Sequence, residues 1–199
     1  MNKVEKTIGK SFEAERFSKR GALTTEKNMD IISTERLHLR VMRLDDAEFY
    51  LRLVNEPTFI SNIRDKGIRT LDESRASIET GALASQEKFG FSFYLVEDRT
   101  THLPMGICGL TKRDSLDDVD LGYAFLPEFC GQGHAYEAAL AVLTHTKNSL
   151  SIKQLAAITS PTNERSNRLL IKLGFIFQKT TLLAGDNTET RLYRLIFQP

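Results

Sequence analysis

Along this chain the rhythm of apolar and polar residues changes several times, and each change marks an element. From Ile31 onward, Leu37, Leu39 and Val41 alternate with His38, Arg40 and Met42, the period of a half-buried first strand. Asp45 then offers a cap for a helix carrying Ala47, Tyr50, Leu51 and Val54, with Pro57 just past its end. Residues 70–88 read as a second helix, acidic in its first turn and basic in its last, with a modest apolar face in Leu71, Ser74, Ile78 and Leu83. Two strands follow at 91–97 and 105–111, joined by a hairpin loop, and a third at 119–126 after the acidic turn 114–118. The helical period is clearest over 132–148, where Ala135, Ala138, Ala139, Val142, Leu143 and Thr146 share one face. A short strand at 155–158, a helix at 163–173 stopped by Gly174, and strands at 175–179 and 192–197 around Gly185-Asp186-Asn187 close the chain.

This order is a mixed α/β (α+β) arrangement in one domain. Residues 1–28 do not join it: they are rich in Lys, Glu, Ser and Thr, and Ile8, Phe12 and Phe17 fit a short amphipathic helix or a flexible arm equally well. Residues 1–30 are therefore set apart as an extension and 31–199 as the folded domain. A chain of 199 residues with 41% apolar residues supports one well-buried core. Its 27 basic and 26 acidic residues leave a net charge of +1, which gives no field for nucleic acid or an anionic membrane. No signal-like or membrane-spanning apolar run is present, so a cytoplasmic, reducing setting is expected. Cys108 and Cys130 lack metal-ligand spacing and read as small apolar residues, and His38, His102, His134 and His145 stand singly, so no metal is assigned.

The stretch 119–136, V-D-L-G-Y-A-F-L-P-E-F-C-G-Q-G-H-A-Y, concentrates the chemistry. Gly131 and Gly133 precede a helix whose first N–H groups and positive dipole end suit an anion. The turn is neither of two common glycine loops. Tyr136 stands where a dinucleotide-binding G-x-G-x-x-G needs its third glycine, and no Gly-Lys followed by Ser or Thr makes a P-loop. On the preceding strand Asp120, Gly122 and Ala124 share one face, a carboxylate beside two small side chains, which predicts a groove next to an acid. Downstream, Asn163 and Ser166 open a helix that begins near a strand end, where open α/β sheets bind ligands.

Together these pieces resemble the GNAT acetyltransferase superfamily, and within it the ribosomal-protein N-terminal acetyltransferase branch. The resemblance is carried by Ile31-Ile32-Ser33-Thr34-Glu35-Arg36-Leu37-His38-Leu39-Arg40, by Asp120-Leu121-Gly122-Tyr123, by Gly131-Gln132-Gly133-His134-Ala135-Tyr136-Glu137-Ala138, and by Asn163-x-x-Ser166 with Leu173-Gly174-Phe175. It implies a central mixed sheet of about seven strands with helices on both faces. It implies acetyl-CoA as co-substrate, with the pyrophosphate on the N–H groups of Gly131, Gln132, Gly133, His134 and Ala135. Leu121, Tyr123, Phe125 and Leu126 would pair with the pantetheine arm like an added strand, and Asn163 would hydrogen-bond it. Arg168 or Lys172 would meet the 3′-phosphate. Cys130 departs from the Arg or Gln usual at its place.

The implied reaction is direct attack of an amine on the thioester in a ternary complex. Asp120 stands where the branch often has Glu and is the candidate base, acting through water, while a strand N–H serves the oxyanion. The tyrosine acid of many members is replaced by Leu170, which leaves Ser166 for the thiolate end. The acceptor is a primary amine, either a protein N-terminal α-amine or a small molecule. A fold member that binds CoA with weakened catalysis is the alternative, and the resemblance leaves monomer and homodimer both open. Arg64, Lys66 and Arg69 read as solvated loop charges ahead of an acceptor-attracting role.

Overall fold

The computed structural model describes residues 30–182 and 188–198. The chain divides after Ile31 into two units, and the fold below is that of the second. The extension proposed for 1–30 and the turn at Gly185-Asp186-Asn187 lie outside the described residues, apart from the backbone of Asp30.

Strands β1 (Asp30–Ser33) and β2 (Leu37–Val41) come from the segment read as a single strand, which breaks where Leu37 N–H bonds Thr34 Oγ1 (2.9 Å) and Thr34 N–H bonds Leu37 O (2.9 Å). Helix α1 (Ala47–Val54) buries Ala47, Tyr50, Leu53 and Val54. Its approach is fixed by Asp46, where the sequence pointed to Asp45: the Asp46 carboxylate takes the Arg43 N–H at 2.6 Å and the Arg40 guanidinium at 2.7 and 2.9 Å. Arg40 also meets Glu97 at 2.7 Å, so one buried cation shared by two carboxylates ties β2, β3 and α1 together. Pro57 does more than follow a helix end. It starts α2 (Pro57–Asn62), since a first-turn position needs no N–H and already wants the φ that proline fixes.

Thr70 caps α3 (Leu71–Ser77) through a capping box with Glu73, and the helical run continues through a π-helical stretch (Ile78–Leu83) into α4 (Ala84–Phe89). Then follow β3 (Phe93–Asp98), β4 (Pro104–Thr111), β5 (Asp120–Phe125), α5 (His134–Ser149), β6 (Gln154–Thr159), α6 (Glu164–Lys172), β7 (Ile176–Leu182) and β8 (Glu189–Ile196). The sheet has eight strands in the order β1-β2-β3-β4-β5-β6-β8-β7, one more than expected because the first strand is two.

Helices cover both faces, and the alternation of strand residues says which. Leu95 and Ile107 join Met42, Tyr50, Leu53, Phe59 and Ile78 in one core cluster beneath α1 to α4. The alternate residues Tyr94, Val96 and Cys108 therefore face the other way, where α5 packs on β2, β4 and β5. With both faces covered, residues 105–110 are buried without alternation.

The feature that makes a site possible is a fork in the sheet. The pairings β2–β3, β3–β4, β4–β5, β6–β8 and β7–β8 are antiparallel, but β5 and β6 are parallel and register only at Asp120 and Ala156. Beyond that point β5 stays on β4 and β6 stays on β8, so the two diverge. Ala156 N–H bonds Val119 O (2.9 Å) while Leu126 N–H bonds Met105 O (3.0 Å), which fixes the backbone phase. Odd-numbered residues of β5 turn their N–H and C=O toward β6, and even-numbered ones toward β4.

Candidate active site

A cavity of about 1340 Å³ follows this fork and continues beneath α1 to α4. The backbone phase puts Tyr123 and Phe125 on its β6 side, beyond the last pairing. Leu121 sits at the pairing point itself, and Leu126 is turned away: its N–H goes to Met105 and its C=O accepts Phe129 N–H at 3.0 Å. Of the four residues expected to present backbone to a pantetheine arm, Leu126 is thus already engaged on both groups.

The glycine turn closes one end of the cavity. Gly131 has φ +79° and Gly133 φ +85°, a left-handed region that side chains with a Cβ rarely adopt. Gly133 is the N-cap of α5 and brings no side-chain oxygen to the first-turn N–H groups, which belong to a sixteen-residue helix. The turn is pinned from the side by Arg36 and Glu137, 101 residues apart. Arg36 donates to Glu137 Oε2 at 2.7 Å and to Gln132 O at 3.1 Å, and Thr34 Oγ1 donates to Glu137 Oε1 at 2.6 Å. Although burial pushes the Glu137 carboxyl up, the Thr34 hydroxyl, the Arg36 N–H and the Arg36 guanidinium together hold it below its ordinary value. The side chains of the loop itself face other work. Gln132 Nε2 donates to Glu128 O (2.7 Å), and His134 Nδ1 meets Phe129 O (3.2 Å), an acceptor only, so Nδ1 carries the proton there. Cys130 is exposed and makes long contacts from Sγ to Phe125 O and Leu126 O (3.8 and 3.5 Å).

At the point of the fork, Asp120 is 1% exposed and lies on the α1-to-α4 face of β5, the face on which Ala124 meets the core cluster. Arg113 Nε donates to its two oxygens at 3.1 and 3.0 Å. Burial pushes the Asp120 carboxyl above the ordinary aspartate range, against the opposing pull of Arg113. The groove expected beside it is partly filled: a Cβ on Gly122 would stand 2.8 Å from the ring of Phe93, so the missing side chain makes room for that ring. On the opposite face of β5, Tyr123 Oη lies 2.8 Å from Ser166 Oγ, and burial pushes the Tyr123 phenol well above its ordinary value. Strand alternation therefore sets a carboxylate and a hydroxyl pair on the two sides of one opening.

Helix α6 supplies Ser166, and Asn163 Oδ1 caps that helix by accepting Ser166 N–H at 3.1 Å. Arg168 lines the cavity while paired with Glu164 at 3.3 Å, both largely exposed. Lys172 instead lies 4.3 Å from the ring centroid of Tyr136, bracing α6 against α5. Leu170, at the place of the family acid, is 1% exposed and offers no proton. No local sequence signal singles out Arg113, the Tyr123 hydroxyl, Phe93 or the Arg36–Glu137 clamp, though Arg36 and Glu137 sit inside two of the family-like motifs. Among the described residues, no group of His, Cys, Asp and Glu is arranged to hold a metal, and no helix is long and apolar enough to cross a membrane.

Comparison with known proteins identifies the family. Residues 36–176 match the acetyltransferase (GNAT) domain family, and the chain belongs to it. It is an acetyl-CoA-dependent acetyltransferase by that membership. The uncharacterized protein YkkB of Bacillus subtilis (strain 168) is 29% identical over 153 residues, covering 74% of this chain and 86% of that one. The uncharacterized N-acetyltransferase YoaA of the same organism is 26% identical over 171 residues, covering 83% and 96%. Among solved structures, RimL, a ribosomal alpha-N-protein acetyltransferase in complex with coenzyme A, superposes with a TM-score of 0.72 at 19% identity, covering 84% of this chain and 97% of that one.

Proposed function

We propose that this protein transfers the acetyl group of acetyl-CoA to a primary amine by direct attack in a ternary complex, with a protein N-terminal α-amine as one acceptor class. The observation that carries this reading is the fork between β5 and β6, with Asp120 on one face of β5 and Tyr123–Ser166 on the other. The N–H groups of Gly131, Gln132, Gly133, His134 and Ala135 hold the pyrophosphate at the start of α5. Tyr123 and Phe125 offer N–H and C=O groups to the pantetheine amides as a neighbouring strand would. Asn163 keeps its Nδ2 for the same arm, because only its Oδ1 is used by the helix. Arg168 is placed for the 3′-phosphate.

The amine nitrogen attacks the thioester carbonyl carbon from the α1-to-α4 side, and the C–S bond breaks toward the other face. Asp120 accepts the proton lost by the amine, through water, and Arg113 favours its ionised form against the burial that raises its pKa. A β5 N–H at the fork meets the oxygen charge that develops on the carbonyl. The Tyr123–Ser166 pair has two hydroxyl hydrogens and uses one between its members, so one remains to bond the departing sulfur. The elevated Tyr123 pKa keeps the phenol neutral and donating rather than ionised. Initial-rate kinetics on the full-length protein test the ternary route: intersecting double-reciprocal lines for acetyl-CoA and amine are expected. Parallel lines, or an isolated acetyl-protein intermediate, would overturn it.

A further inference from the structure

We propose that the cavity wall opposite the glycine turn selects acceptors carrying an anionic group near the reacting amine, an inference that rests on the acetyl-transfer reading above. The segment between α2 and α3 brings Arg64 and Lys66 to the cavity lining. Lys66 Nζ donates to Tyr50 Oη at 2.7 Å and stands 5.4 Å from that ring's centroid. Tyr50 is itself buried in α1, so the ammonium is held against the wall although Lys66 as a residue is exposed.

Among the described residues, neither cation is neutralised. Asp65 lies between them in sequence, yet its carboxylate is taken by the Arg69 guanidinium at 2.5 Å and the Gly67 N–H at 2.8 Å. Arg64 and Lys66 have no ion-pair partner among the described residues. The reading of solvated loop charge thus fits Arg69, whereas the other two face the cavity. Its carboxylates lie elsewhere: Asp120, held by Arg113, and Glu189 at the start of β8. From residue 42 to residue 93 the lining holds, beside these two cations, hydroxyls, the Asn62 amide and apolar groups but no acid. A smaller cavity of about 490 Å³, lined also by Asp65, shares Arg64, Lys66 and Ser77 with the first, so the two cations stand on the partition between them.

Such a wall repels polycationic amines and draws a carboxylate or phosphate while the amine reaches toward Asp120. The class of acceptor is therefore an amine with an attached anion, such as an acidic peptide N-terminus, and polyamines are excluded. Two partly exposed contacts of this kind are together worth about tenfold in selectivity.

The test measures CoA release and product mass with the full-length protein and peptides matched except for residues two and three: Asp-Glu, Asn-Gln or Lys-Lys. Phosphoethanolamine and glutamate serve as small acceptors that separate phosphate from carboxylate, and spermidine is the polycation. We expect kcat/KM to fall from acidic to neutral to basic peptide, the difference to sit in KM, and the acidic preference to shrink with added salt. In the double variant Arg64→Glu, Lys66→Glu the order should invert, with acetyl-CoA affinity retained as the sign of a folded protein. A charge-blind wild type, or an order that survives the double variant, overturns the inference while leaving acetyl transfer standing. Bound acetyl-CoA with no turnover of any acceptor overturns the acetyl-transfer reading itself.

Discussion

The wall made by β5, the glycine turn and α6 meets a ligand largely through main-chain groups, whereas the wall made by α1 to α4 meets one through side chains. On the first wall the turn's own side chains are occupied elsewhere, Gln132 on Glu128 and His134 on Phe129, and Lys172 of α6 lies on Tyr136. On the second, Tyr50, Lys66, Arg64 and Phe93 converge from three separate segments. A backbone wall suits a co-substrate that never changes. A side-chain wall can be re-specified without touching the fold, so relatives with the same donor half can differ in acceptor. Asp120 stands where the two walls meet, and the sharpest tests begin there.

Asp120→Asn should lower acetyl transfer roughly 10²- to 10⁴-fold at neutral pH and leave acetyl-CoA affinity nearly unchanged, measured by steady-state rates beside a binding titration. Because burial raises the Asp120 pKa, the acidic limb of the wild-type pH–rate profile should lie above the ordinary aspartate value of about 3.9. Activity is lost as pH falls through that raised value and the base becomes protonated. Arg113→Met removes the opposing cation and should move the limb further up. A limb that stays put in this variant would separate Arg113 from the base.

Gly133→Val tests the backbone wall directly. At φ +85° a β-branched residue is strained by about 1–3 kcal/mol, so acetyl-CoA should bind roughly ten- to hundredfold more weakly as the turn distorts. Native affinity in calorimetry would remove the turn from phosphate binding.

The legibility of the two walls follows from the same contrast. Strand, turn and helix over 119–136 could be read because each signal is local: alternation, two glycines and a 3.6 period lie next to one another in sequence. The helix at 163–173 and its Asn163 cap were legible for the same reason, and α6 begins one residue after the cap. What could not be read depends on approach in space. Tyr123 and Ser166 are 43 residues apart, and Arg36 and Glu137 are 101 apart, so no spacing rule links them. The groove inferred from Gly122 was half right, since a missing Cβ signals only that something comes close, here the ring of Phe93. Pro57 reads in sequence as a stop, but proline both ends and begins helices, and only the residues after it decide which.

A smaller effect is expected across the fork. Tyr123→Phe and Ser166→Ala should each lower kcat about tenfold with little change in acetyl-CoA affinity, since each deletes one member of a hydroxyl pair. If the two act as a unit, the double variant should lose no more than the worse single one. Fully multiplicative losses would show two independent roles and undo the pairing.

The smallest expected effect bears most directly on the backbone wall, because it concerns a side chain that ought not to matter. Cys130 occupies the family's Arg or Gln position, and its Sγ touches only two carbonyls at 3.8 and 3.5 Å, near the limit for so weak a donor. Its backbone N–H is committed to Pro127 O at 3.1 Å, and its φ of −76° is open to any residue. Cys130→Ala keeps both of these and deletes only the thiol. Acetyl-CoA affinity should then change by less than about twofold, the scale of a weak exposed contact. An effect as large as that of Gly133→Val would mean the turn is held by its side chains after all, and the two walls would differ less in kind than their hydrogen bonds indicate.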